Sequence, residues 1–176
     1  MVTIDGTDFE IFEPGNPEGR FWVDSKGNHV TCNPKWYSHK FKGPGLRYEV
    51  AVCIQTGDIV WTAGPFPCGR RPDKKIFKHR LRHMLDQHEM VECDRGYVGL
   101  PFECHTPDDF LNEADKQAKA IARARHETIN RRLKQFGCLG QRYRHNLSKH
   151  KVLFCAVAFC VQVSFDCGEK PFQVEY

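Results

Sequence analysis

Residues 112–136 constrain the fold more than any other stretch. Asn112 can cap a helix, Asp115 three residues on completes a capping box, and Gly137 is the residue type that most often closes one. Between those marks Ala118, Ile121, Ala122, Ile129, Leu133 and Phe136 recur at helical spacing and form one apolar stripe. A long amphipathic helix of this kind needs a layer to lie against. Strand-like segments supply it: residues 1–9, which reach a turn at Asp5-Gly6, residues 46–54 and 59–63, joined as a hairpin through Gln55-Thr56-Gly57-Asp58, and residues 90–93. The spacing predicts a further helix capped by Asp73, with Ile76, Phe77, Leu81, Met84 and Leu85 on its buried side. The apolar run 151–165 fits a buried helix or a buried strand by periodicity, and its length favours the helix. Residues 13–34, with Trp22 and Val23 as the sole strand-like island, and residues 64–72 and 98–111 read as loops, and 168–176 as an extended tail. A single domain that combines strands and helices is expected over residues 1–176.

Composition narrows the class. Hydrophobic residues make up 40% of the 176-residue chain and aromatics 12%, enough for a real core. No cationic segment followed by an apolar run opens the chain, and the longest apolar stretch, 152–163, is short for a bilayer, so secretion, membrane insertion and a membrane partner are not expected. The nine cysteines are odd in number and include no Cys-x-x-Cys pair, which points to free thiols in a reducing, intracellular compartment. Zinc bound by some of these thiols and the nine histidines is the competing reading, against Cys53, Cys155 and Cys160 as small core residues.

Charge is distributed unevenly. Residues 116–151 hold eleven Lys or Arg and a single acid, Glu127, within a chain whose net charge is only +4. A surface built to meet a polyanion is one consequence; a solvated helix face with a basic loop is the other.

That single acid belongs to a constellation. Asp5 and Asp94 each stand where a strand ends before a Gly-containing turn, and Glu127 sits on the long helix, about 200° around from Ile129, with Arg123, Asn130, Arg131 and Lys134 on its face. If the two strands are sheet neighbours, a helix crossing them brings the three carboxylates together as a site for a hard divalent cation, Mg2+ or Mn2+. The plainer reading is that Asp before Gly is a turn residue, and that Glu127 forms ion pairs with Arg123 and Arg131 along the helix.

Four segments, in order, carry a resemblance. Thr-Ile-Asp-Gly-Thr (3–7), Pro-Asp-Lys-Lys-Ile-Phe (72–77), Asp-Arg-Gly-Tyr-Val-Gly (94–99) and Arg-His-Glu-Thr-Ile-Asn-Arg-Arg-Leu-Lys-Gln-Phe (125–136) resemble the Harbinger-type DDE endonuclease domains of transposases over nearly the whole chain. The resemblance implies an RNase H-like α/β fold, a mixed sheet flanked by helices, and a catalytic, metal-binding triad of Asp5, Asp94 and Glu127 holding two ions. It also implies nuclear DNA as partner, phosphate contacts from Arg95, Arg123, Arg131, Arg132 and Lys134, and pairing into a homodimer; no organic cofactor is expected. Asp8 and Asp73 are second choices: Asp8 lies three residues from Asp5, on the opposite face of a strand, and Asp73 has an equal claim as a helix cap. The chain starts four residues before Asp5, so the helix-turn-helix region of such transposases is not expected in it, and 13–34 reads as an insertion. The alternative function is a catalytically inactive, domesticated or truncated relative that binds nucleic acid or a partner protein.

Overall fold

The computed structural model describes residues 1–15, 22–23, 26–30, 32–87, 89–100, 103–106 and 112–172. The sheet is built around β1 (Val2–Glu10). It pairs antiparallel along its whole length with β5 (Gly43–Cys53), from Val2 opposite Cys53 to Glu10 opposite Gly45. On its other side β1 pairs in parallel with β7 (Val91–Glu92), which in turn pairs in parallel with β8 (Cys104–His105). The outer flank of β5 is covered by β6 (Ile59–Pro67) and, at its start, by β4 (Tyr37–Ser38). The sheet is therefore mixed, and helices lie on both faces, as the α/β expectation required.

Alternation along β1 and β5 creates two cores. One face presents Phe9, Tyr48, Val50 and Val52 to α2 (Glu113–Gln135) and α4 (His150–Asp166), which contribute Ile129, Leu133, Phe154, Val157, Val161 and Phe165. Tyr48 stacks on Phe154 at 3.8 Å between ring centroids, and its hydroxyl lies 2.9 Å from His150 Nδ1. The other face presents Ile4 and Ala51 to Phe77 of α1 (Asp73–His79), Leu81 and Tyr97. Each fully buried Leu, Ile, Val or Phe contributes roughly 1.5–3 kcal/mol by leaving water, so both layers hold the sheet between them.

The long helix forms where its caps indicated: Asn112 accepts from the Asp115 amide at 2.8 Å, and the helix begins at Glu113. Its end differs. Phe136 is the C-cap, and Gly137 opens one further turn, α3 (Gly137–Gly140), because its backbone is not in the left-handed region that a closing glycine uses. The buried side is also more polar than the stripe foretold. Ala122, Ile129 and Leu133 are buried, but so are Lys119, Arg125, His126 and Asn130, while Phe136 is exposed. Lys119 pairs with Glu92 at 2.7 Å, and Arg125 donates to the carbonyls of Cys53 and Ile54.

Other boundaries are corrected by packing. The strand expected to stop at Asp5-Gly6 runs straight through to Glu10. Gly6 sits in the ladder opposite Glu49 and is glycine because a Cβ there would lie 2.0 Å from Asp73 Oδ1. Residues 64–67, expected in a loop, extend β6; as an edge strand it tolerates Pro65 and Pro67, whose missing amides cost no second ladder. The helix after Asp73 lasts only to His79, and a 3-10 turn, Leu81–Met84, follows with Met84 exposed. Pro72, not Asp73, is its N-cap.

Trp22 and Val23 form β2, paired with β3 (His29–Val30). Of the expected insertion 13–34, residues 16–21, 24, 25 and 31 lie outside the described residues, as do 101–102 and 107–111 of the loop 98–111 and 173–176 of the tail. The apolar run is helical, and with the preceding 3-10 turn the helix reaches from Leu147 to Asp166, long and apolar enough to cross a bilayer by length and composition. Here one side of it carries Phe154, Val157, Val161 and Phe165 into the core. All nine cysteines are free, with Cys155 and Cys160 exposed on α4 instead of buried in the core.

Candidate functional site

The parallel register of β1 and β7 sets Val2 beside Val91 and Thr3 beside Glu92. Two residues further along the same register stand Asp5 and Asp94, so the two strands deliver both acids to one edge. Helix α2 is clipped across this edge by two polar contacts. Thr3 Oγ1 lies 2.8 Å from His126 Nδ1, and Asn130 Nδ2 donates to Asp5 Oδ2 at 3.0 Å. Positions 126, 127 and 130 share one side of the helix, so these contacts turn Glu127 toward the acids. Thr3, Asp5, Glu92, Asp94, Arg123, His126 and Glu127 line a common cavity of about 50 Å3.

The electrostatics of that cavity are those of crowded carboxylates. Burial, followed by the charges of Glu127, Asp94 and Asp73, pushes the Asp5 carboxyl up to about 7. Asp5 Oδ1 accepts the Gly6 amide at 2.8 Å, which offsets only part of that rise. Asp94 is held by its own turn: its side chain caps the 3-10 helix Arg95–Tyr97, accepting the Gly96 amide at 2.7 Å. Glu127 is exposed and, among the described residues, forms no ion pair with Arg123 or Arg131, so the ion-pair reading of that helix face is not realised.

The second-choice acids separate. Asp8 lies on the opposite face from Asp5, as alternation required, and is consumed by structure. Arg47 Nε donates to it at 2.7 Å and Ser38 Oγ at 2.7 Å. Burial raises its carboxyl, but Arg47 and Ser38 more than offset this and hold it below the usual carboxylate range. Asp73 is not the expected cap. Its carboxylate lies 3.2 Å from Arg47 Nη1, against the backbone of Gly6 and near Gly96, and burial leaves it raised despite Arg47. It thus borders the Asp5–Asp94–Glu127 group from the other side of β1.

The expected phosphate contacts also divide. Arg95, Arg123 and Arg131 are exposed, and Arg123 lines the acid cavity. Arg132 donates to the Glu169 carbonyl and lies over the Phe165 ring, so it fastens α2 to α4. Lys134 lies over the Phe9 ring, and burial with nearby Lys40 brings its ammonium down to about 8. These two serve packing first.

Three residues here are not among the predicted site residues. Asn130 positions Asp5; its spacing of three from Glu127 is the one signal that was available. His126 is buried, driven down to about 3 by burial and Arg125, and hence neutral; its Nε2 and the Asn130 Oδ1 have no hydrogen-bond partner among the described residues. Arg47, which joins Asp8 to Asp73, carried no sequence signal. Raised acids, two unsatisfied buried polar atoms and oxygen donors fit a hard divalent cation, although no three described His, Cys, Asp or Glu side chains already stand at ligand distance of one point. No family model matches the chain, and no curated protein matches it.

Proposed function

We propose that this chain is a divalent-metal-dependent phosphoryl-transfer domain acting on DNA, with an RNase H-like fold of the Harbinger-type DDE kind. The observation that carries the reading is the convergence of Asp5, Asp94 and Glu127 on one cavity, where burial and the neighbouring carboxylates push Asp5 up to about 7. Crowding of that kind costs stability unless a cation is bound, and it marks functional sites more often than structural ones. Asp5, Asp94 and Glu127 would hold the Mg2+ or Mn2+, with Asp73 behind them. Bound there, such ions activate a water or hydroxyl and stabilise the leaving oxygen at phosphorus.

The chain's own residues do the positioning. Asn130 orients Asp5, the Gly96 amide orients Asp94, and the Thr3–His126 contact sets the rotation of α2 that aims Glu127. Arg95, Arg123 and Arg131 offer charge to the phosphate backbone of nuclear DNA. A cavity of about 50 Å3 has room for ions and waters.

The test is plasmid nicking with Mg2+ or Mn2+ by the wild type and by Asp94→Asn. Metal-dependent cutting lost in the variant is expected; equal cutting by both proteins, or none by a folded wild type, overturns the proposal. One observation favours a second reading, a catalytically inactive relative that binds a partner protein. Helix α4 exposes Val152, Phe159 and Val163 to 69%, 69% and 40% along an otherwise core-forming helix. Failure of the protein to bind Mn2+ would support that reading over the first.

A further inference from the structure

A larger cavity lies on the α1 side of the sheet, away from the acids, with a volume of about 540 Å3. Val30, Cys32, Tyr37, His39, Arg47 and Gly69 are among the residues that line it. Its walls are stitched together: the Gly45 amide donates to the Trp36 carbonyl at 2.8 Å and the Gly69 amide to the Lys35 carbonyl at 3.1 Å. Gly69 is required for this closeness, since a Cβ there would lie 1.8 Å from the Pro34 carbonyl oxygen. These contacts join the wall at Gly69 to the chain before Tyr37.

Three of its properties select a ligand. The walls are mixed: small apolar and thiol side chains form the interior, and Tyr37 stands edge to face with His39 at 5.1 Å, giving flat rings with polar atoms on their rims. Residues 35–48, which supply three of the walls, contain Lys35, Lys40, Lys42 and Arg47 and no acid, and Arg70 and Arg71 follow the wall residue Gly69; Asp8 and Asp73 pair with Arg47 itself. Finally, Arg47 is a wall of the cavity and simultaneously the partner of Asp73, which borders the acid group. A polyanion that carries planar, hydrogen-bonding rings satisfies all three, and aromatic faces beside a basic track are how nucleic-acid strands are held.

We propose that this cavity receives an unpaired base of a nucleic-acid strand, with Tyr37 as its stacking face. The inference rests on the reading of the acids as a phosphoryl-transfer site but concerns binding, so it is separable from cutting. The base reaches the cavity either from a single strand or by leaving a duplex, and the two sources present the same chemistry to the walls.

Binding is measured with metal chelated, so that nothing is cut, by fluorescence anisotropy on a single-stranded oligonucleotide and on a duplex bearing 2-aminopurine. The fluorescence of that base reports its unstacking. Wild type is expected to bind the single strand. Tyr37→Ala, which removes the stacking face, and Val30→Trp, which fills the interior, are each expected to weaken binding about tenfold, while Tyr37→Phe retains it. A rise in 2-aminopurine emission in the duplex assigns the source to an extruded base; binding confined to the single strand assigns it to a strand already open. Wild-type affinity in both Tyr37→Ala and Val30→Trp, or equal affinity for an oligonucleotide made wholly of abasic sites, overturns the proposal. Cutting by a protein whose cavity variants bind normally leaves the phosphoryl-transfer reading standing and removes this one. Base binding without any cutting does the reverse.

Discussion

Asp5 and Asp8 lie three residues apart on one strand and have opposite electrostatic fates. Asp8 faces the α1 side, where Arg47 and Ser38 give its buried carboxylate three hydrogen bonds and hold its affinity for protons low. Asp5 faces α2, where Glu127 and Asp94 add negative charge and its affinity is raised to about 7. Burial acts on both in the same direction. The difference lies in the neighbours: Asp8 is compensated by a cation of its own fold, and Asp5 is not, which on the proposed reading leaves it to a bound metal ion.

The comparison can be broken at several points. The largest effect is expected from Asp5→Asn, which on the phosphoryl-transfer reading lowers metal-dependent nicking by on the order of 10³-fold or more, the several kcal/mol that a bound ion supplies. Its folding stability, measured by urea denaturation without metal at pH 8, should not fall, because the substitution removes a repelled charge. Asp8→Ala should do the reverse. It leaves Arg47 part-buried without its main partner and should cost about 3 kcal/mol in the same denaturation measurement, the lower end for a broken buried pair because Arg47 retains Asp73 and some solvent. If Asp8→Ala were harmless, the compensation argument would be wrong.

Asn130→Ala tests whether Asp5 needs to be held. About a tenfold loss of nicking is expected, as for residues that orient a metal ligand, with little change in the protein's melting temperature. The smallest effect concerns pH. In the metal-free protein the folded-state affinity of Asp5 for protons exceeds the unfolded one, so its contribution to stability improves as pH falls from about 7 toward 4, by on the order of 1 kcal/mol per pH unit at most. Asp8 works in the opposite direction: its contribution is present above the ordinary carboxylate range and is lost below it. His150, lowered to about 4 by burial, also loses stability as pH falls from 6.5 toward 4. Subtracting the Asp5→Asn profile from that of the wild type isolates the Asp5 slope; a difference that grows in the other direction would contradict the crowding.

Legibility varied with how local the cause was. The start of α2 was readable because Asn112 and Asp115 act within one turn. The β5–β6 hairpin was readable from the turn residues between its strands, though not its full length, since the extension to Pro67 depends on β6 being an edge. The Asp5-Gly6 pair was misread as a turn because the reason for glycine there, the Asp73 carboxylate packed against it, lies 67 positions away in the chain. Asp73 was misassigned as a cap for the same reason: its partner Arg47 is on another strand.

The basic stretch teaches a similar lesson. Of the cations counted in 116–151, Lys119 and Arg125 are buried, and Arg132 and Lys134 are occupied by contacts with α4 and β1. A count of charges cannot tell a surface from a set of fastenings, because both use the same residue types. The expectation that Asp5 and Asp94 emerge side by side was conditional on β1 and β7 being neighbours, and nothing in either strand announces the other.

By itself the sequence determined the elements whose causes are short-ranged: the capped helix, the hairpin turn, the Asp94 turn and the opposite orientation of Asp5 and Asp8, which follows from the two-residue period of a strand. The tertiary structure decided which acids meet, which are neutralised and which cations remain at the surface. Those outcomes depend on parallel pairing, helix rotation and cross-sheet partners, and each brings together residues that the chain separates by tens of positions.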